Sequence, residues 1–151
     1  MKGAMSMTLA IENCLYFASN RLARETERLA IAAYKPTGLS PSYNYILMTL
    51  AEIGPLTLHE LAAKMGIAPS TMSRFIKKMA ADGLITKKNG WRKIDLALSE
   101  KGKQLLPLTY ACFQQLGKTV TRLSGGLGQK EKTVAQLNQQ AALLNRKKEK
   151  Q

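Results

Sequence analysis

The chain has 151 residues, 45% of them hydrophobic and 22% charged, a balance that fits one soluble globular domain with a full core. Twenty-three Lys and Arg against ten Asp and Glu leave a formal charge of +13, with a pI near 10.0, so a polyanionic partner is expected, either nucleic acid or an anionic membrane surface. No stretch approaches the ~20 uninterrupted apolar residues of a membrane span. Residues Met1 to Ala10 lack the pattern of a secretory signal, and Cys14 and Cys112 make no disulfide framework, so a cytoplasmic protein is expected.

From about Leu9 to Tyr34 the spacing is helical: Leu15, Leu22 and Leu29 recur every seven residues, with Ala18, Ala30 and Ala33 on the same side. Lys35-Pro36-Thr37-Gly38 ends this helix. Ser40-Pro41 opens a second, through Tyr45, Leu47, Leu50 and Ala51, and Gly54-Pro55 stops it. Thr57 with Glu60 forms a capping box for a short helix ending at Met65-Gly66. Pro69 opens the next, with Met72, Phe75, Ile76 and Met79 on its apolar side, and Asp82-Gly83 closes it. The period then changes. Strands Leu84–Lys88 and Trp91–Leu98 flank Asn89-Gly90, the signal of a two-residue hairpin turn, with Ile94, Leu96 and Leu98 on the buried face.

Ser99 is placed to cap a long helix through Leu105, Leu108, Cys112, Leu116, Val120 and Leu123, with Pro107 in its first turns or at a kink. After the glycine-rich break at 125–128, Val134, Leu137, Ala141 and Leu144 form the seam of a helix that packs on another helix. The tail from Arg146 to Gln151 is polar, its cations suited to a helix C-terminus.

Little in this sequence supports catalysis. His59 is the only histidine, and neither cysteine has a neighbour at metal-ligand spacing. Gly125, Gly126 and Gly128 follow no strand, and Glu25 and Glu27 face different sides of a helix. The expectation is no enzyme, no catalytic residue, no metal and no cofactor.

Two short helices joined at a glycine and followed by a β-hairpin describe a winged helix-turn-helix. Ala62 is small where the helices cross, Gly66 supplies a positive φ, and Leu61, Met65, Ile67, Met72 and Phe75 or Ile76 are apolar where they must bury each other. The second helix then presents Ser70, Thr71, Ser73, Arg74, Lys77 and Lys78, short polar and basic side chains of the kind that meet a major groove. Lys87, Lys88, Arg92 and Lys93 cluster around the hairpin turn, as a DNA-contacting wing requires. From Lys64 to Lys103 ten basic and three acidic residues leave +7, so the charge is concentrated on the motif.

The sequence resembles the MarR family of transcriptional regulators. The resemblance runs through Leu61-Ala62-Ala63-Lys64-Met65-Gly66-Ile67, Ser70-Thr71-Met72-Ser73-Arg74, Gly83-Leu84-Ile85, Leu96-Ala97-Leu98-Ser99 and Gly102. It implies a mainly α protein with a small β-hairpin, a single domain over residues 1–151. A winged helix-turn-helix at 40–98 is flanked by dimerisation helices at 9–34 and 100–148. It also implies a homodimer on a pseudo-palindromic operator in double-stranded DNA, often a repressor, released by a small-molecule effector or by cysteine oxidation. The dimer interface falls to Leu15, Leu22, Val134, Leu137, Ala141 and Leu144, the seams already read. The wing departs from the family pattern: counted back from Ser99, Arg92 matches the wing arginine, but Gly90 stands where an orienting aspartate is usual. Lys87, Lys88 and Lys93 then remain as phosphate contacts, and Trp91 is expected against the domain body.

Other residues carry weaker signals. Cys14 and Cys112 are packing residues before they are redox sensors, and His59 is a surface residue. Tyr16, Tyr43, Tyr45 and Arg21 are candidates to line an effector cleft. The reading from another class is a winged helix that coats DNA without sequence choice, or docks on another protein.

Overall fold

The computed structural model describes residues 9–90 and 93–145. Helix α1 spans Leu15–Tyr34, α2 Pro41–Ile53, α3 Leu58–Met65 and α4 Pro69–Ala81. Strands β1 (Ile85–Asn89) and β2 (Ile94–Leu98) follow, then α5 (Glu100–Leu123) and α6 (Leu127–Asn145). The fold is mainly helical with one antiparallel hairpin.

The first helix starts later than its periodicity suggests. Ala10–Asn13 form a separate 3-10 turn, closed where Leu9 N–H donates to the Glu12 carboxylate at 3.0 Å. Cys14 is extended, φ −89° and ψ 122°, and gives α1 only its carbonyl, to Ala18 N–H. The heptad stripe also divides: Ala30 and Tyr34 are buried, whereas Leu15 and Leu22 face out.

The signals for α2 to α4 hold, except that Ser40 stands at the start of α2 without a side-chain capping bond. Pro41 is the first residue of α2, and Gly54 (φ +95°) ends it. Thr57 N–H donates to the Glu60 carboxylate at 2.8 Å while Glu60 N–H donates to Thr57 Oγ1 at 3.2 Å, so two of the free donors at the start of α3 are satisfied. Gly66, in the left-handed region at φ +63°, turns the chain into α4. The core joins these elements to the hairpin through Ile46, Leu47 and Leu50 of α2, Leu61 and Ala62 of α3, Met72, Ile76 and Met79 of α4, and Leu84, Ile85 and Leu96. Phe75 meets Tyr43 edge-on, ring centroids 5.3 Å apart.

The hairpin departs from expectation at its turn. A two-residue Asn-Gly turn needs positive φ at both positions, and neither Asn89 nor Gly90 has it. Instead Asn89 pairs with Ile94, and Gly90 N–H donates to Lys93 O at 2.7 Å, so the ladder continues past the expected turn. Trp91 and Arg92 lie outside the described residues. Leu56 adds a bridge on the other side of β2, exchanging both backbone hydrogen bonds with Leu96. The buried face is also shorter than the alternation suggests: Leu96 is buried, but Ile94 is 54% exposed.

Ser99 caps α5 by accepting from Gly102 N–H at 3.0 Å and donates its hydroxyl to Gly83 O at 2.6 Å. Pro107 lies inside this helix, not in its first turn. A second small cluster, Ala30 and Tyr34 of α1 with Cys112 of α5, flanked by Tyr45 and Leu116, fastens the winged unit to the long helices. Gly125 (φ +84°) and Gly126 (φ +100°) separate α5 from α6, and Gly128 belongs to α6 itself. No residue of α6 is buried.

Candidate nucleic-acid interface

Helix α4 sorts its side chains by face. Met72, Ile76 and Met79 go inward, fixing the helix against α3 and β1, and this leaves Ser70, Ser73, Arg74, Lys77 and Lys78 exposed. Thr71 is half-buried. No side chain caps the helix start at Ala68, and Pro69 has no N–H to satisfy. Lys78 is turned toward the far end of the helix, where its ammonium pairs with Asp82 at 3.2 Å. Arg74 and Lys77 have no ion-pair partner within 4.0 Å among the described residues.

The hairpin register divides the basic cluster between two faces. Opposed residues in an antiparallel ladder share a face. Lys87 therefore sits with Leu96 on the face that turns to α4, and Lys88 with Asp95 on the other. Lys93 reaches Asp95 Oδ1 at 3.8 Å. It also lies near the start of α3. The Glu60 carboxyl is held below its ordinary value by the Thr57 N–H and hydroxyl, with a smaller pull from Lys93. Of the four expected wing residues, Lys87 and Lys88 are exposed on β1, Lys93 has carboxylates beside it, and Arg92 falls outside the described residues. The partnership of Lys93 with Asp95 had a signal in the sequence, since positions 93 and 95 of a strand share a face.

The proposed aromatic cleft is not assembled as expected. Tyr43 packs in the core, Tyr16 is 78% exposed on α1, and Arg21 borders a different cavity with Glu12 and Phe17. Only Tyr45 lines the crevice between α1, α2 and α5, a space of about 350 Å³ shared with Thr26, Glu27, Pro41 and Leu116. Tyrosines at helical spacing lie on one helix face but do not converge across helices, and the pattern carries no information on which of them the core takes. Behind Tyr45 stands Tyr34, edge-on with ring centroids 5.7 Å apart, its hydroxyl buried without a hydrogen-bond partner among the described residues. Burial, with Tyr45 next to it, pushes the Tyr34 phenol well above its usual range.

Cys14 is exposed and Cys112 buried, and His59 is exposed. The seam residues stand open to solvent: Leu15 53%, Leu22 39%, Val134 48%, Leu137 42% and Leu144 58% exposed, with Ala141 exposed beside them. No helix among the described residues is long and apolar enough to cross a membrane.

A family profile described as MarR matches residues 39–90, which hold α2 to α4 and β1. An uncharacterised helix-turn-helix-type transcriptional regulator of Bacillus cereus is 26% identical over 86 residues, covering 57% of this chain and 58% of that protein's length. The chain thus spans less than two thirds of the curated relatives it matches. Among solved structures, the Mycobacterium tuberculosis transcriptional regulator MosR is 26% identical, with a TM-score of 0.76 over 89% of this chain and 99% of that one. The same regulator in complex with DNA matches at 0.74, over 87% and 98%. CouR of Rhodococcus jostii bound to p-coumaroyl-CoA shares the fold at 20% identity and a TM-score of 0.68, over 89% and 93%.

Proposed function

We infer that this chain, a member of the MarR family through its residues 39–90, is a DNA-binding regulator of transcription and not an enzyme. One observation carries the reading. Helix α4 buries Met72, Ile76 and Met79 and leaves Ser70, Ser73, Arg74 and Lys77 outward, beside a basic hairpin. A buried stripe fixes the helix while a polar stripe is free to meet base edges, which is the division of labour a recognition helix needs. That the similar MosR was solved in complex with DNA supports the reading.

The finer reading is a cytoplasmic homodimeric repressor on a pseudo-palindromic operator. Exposed apolar side chains at both ends of the chain, Leu15 and Leu22 with Val134, Leu137, Ala141 and Leu144, would be covered by a second copy. Two-fold symmetry would set two α4 helices about 34 Å apart, one turn of DNA. A small-molecule effector would have room in the crevice beside Tyr45, which α1, α2 and α5 border; CouR, of similar fold, was solved bound to p-coumaroyl-CoA.

The test is selection of binding sites from sheared genomic DNA at about 0.15 M salt, where purely electrostatic binding is weakened. Enrichment of an inverted repeat with half-sites about 10 bp apart is expected. Retention of DNA with no common sequence would favour the architectural reading, and retention of none would remove DNA binding altogether.

A further inference from the structure

Lys77 of α4 and Lys87 of β1 come from different elements, the recognition helix and the wing, yet they border one cleft of about 370 Å³. Ser73 lies on its rim, and Ile76, Ile94 and Leu96 form its floor. Ser73 and Lys77 are four apart, so they point the same way from adjacent turns. No carboxylate lines the cleft, and neither lysine has an ion-pair partner within 4.0 Å among the described residues. The nearby acids are engaged elsewhere, Asp82 with Lys78 and Asp95 with Lys93 on the opposite face of the ladder. Two lysines bordering one cleft that no carboxylate lines suit it to an anion. The floor narrows the choice of anion. Ile94, 54% exposed, offers apolar surface that a free phosphate cannot use but a deoxyribose can.

We propose that this cleft seats one segment of DNA backbone, a single phosphodiester held by both Lys77 and Lys87 with its sugar against Ile94. The proposal rests on the DNA-binding reading and adds to it. Lys77 becomes a backbone clamp and not a base reader, and β1 contributes by gripping the strand beside the recognition helix, not by reaching into a groove. Arg74 remains the side chain on α4 free to read sequence.

A double-mutant cycle on DNA affinity against salt tests this, with Lys77→Gln, Lys87→Gln and the double variant, each checked for an unchanged thermal melt. Two lysines on one phosphate leave it partly neutralised when either is removed. Each single variant should therefore lower the slope of log affinity against log salt by less than one, and the double variant by about one. The affinity losses should be non-additive, and equal on operator and unrelated DNA. Additive losses with a slope change of about two would assign the lysines to separate phosphates and overturn the clamp. A larger loss on operator DNA for Lys77→Gln would make it a base reader, with the same result. Failure of the unaltered protein to bind any duplex at low salt would instead remove the DNA-binding reading itself. Replacing Ile94 by Ser should weaken duplex binding without changing the slope; an unchanged affinity would sever the sugar contact.

Discussion

Thr109 Oγ1 donates to Asn44 Oδ1 at 3.0 Å, and both side chains are fully buried, 65 positions apart in the chain. The Asn44 amide donates in turn to Thr37 Oγ1, Leu39 O and Ser40 O, so one buried residue closes the turn before α2 and ties it to α5. Buried polar groups that are satisfied hold a joint in one arrangement; left unsatisfied they cost about 1–3 kcal/mol each. Thr109→Val strips Asn44 of this partner and should lower stability by about that amount in urea unfolding. Asn44→Ala should cost more, because it also leaves the Leu39 carbonyl and the Thr109 hydroxyl without their side-chain partner. Equal stability of the Val variant and the parent would show that water replaces the bond.

Two glycines of α5 should respond with opposite signs. A Cβ on Gly102 would stand 2.3 Å from the carbonyl oxygen of Leu84, a backbone atom that cannot step aside without opening the base of the hairpin. Gly102→Ala should destabilise by roughly 3 kcal/mol, the upper range for overpacking. Gly117 has nothing within 4 Å of its Cβ position, and Gly117→Ala should stabilise by about 0.5–1 kcal/mol through helix propensity alone. Thermal melts of the two variants against the parent settle both. A neutral Gly102→Ala would mean that the hairpin is not clasped to α5 as described.

Such contacts mark where the sequence stops being informative. The helix boundaries at Pro41, Gly54, Thr57, Gly66, Pro69 and Ser99 were legible because each rests on a local backbone demand met by one or two residues. The turn at Asn89-Gly90 was misread because the same dipeptide fits inside an extended ladder when the partner strand continues to pair. The bridge from Leu56 to Leu96 lies 40 positions apart in sequence, beyond the reach of any local pattern. At the candidate interface, the exposed face of α4 followed from its buried one by helical period. Lys87 and Lys88 fall on opposite faces by strand period alone, but which of them turns to α4 depends on ladder register, which a shift of one residue would invert.

The buried hydroxyl of Tyr34 gives a pH prediction. Its native pKa is raised, chiefly by burial, above that of the unfolded chain, so the unfolded form releases its proton first as pH rises. The stability tied to the neutral phenol is complete below about pH 10, the ordinary tyrosine value, and declines as pH climbs above it. Alkaline titration followed by tyrosinate absorbance should show one phenol that ionises only with unfolding, and Tyr34→Phe should remove that step. Because the hydroxyl has no hydrogen-bond partner among the described residues, the Phe variant should be as stable as the parent at neutral pH, or more so. A clear loss of stability there would reveal a hydrogen bond through bound water.

The expected hierarchy among the basic residues follows from which carboxylates they face. Arg74 is exposed on α4 with no acidic partner within 4.0 Å among the described residues, so it is free to make two hydrogen bonds to a guanine edge. Arg74→Ala should then cost about 1–3 kcal/mol on operator DNA and much less on unrelated duplex. Lys88 stands opposite Asp95 in the ladder and Lys93 reaches the same carboxylate, so each would contact phosphate with part of its charge already balanced. Lys88→Gln and Lys93→Gln should weaken both DNAs equally, and by less than Lys87→Gln. Asp95→Asn is the sharpest variant. If Asp95 only balances charge, its removal should tighten binding and steepen the salt slope. If instead binding weakens, Asp95 orients Lys93 toward the backbone and does the work of the carboxylate missing at Gly90. Titrations of the five variants at three salt concentrations separate these outcomes, and equal losses on operator and unrelated DNA for Arg74→Ala would move sequence reading away from α4.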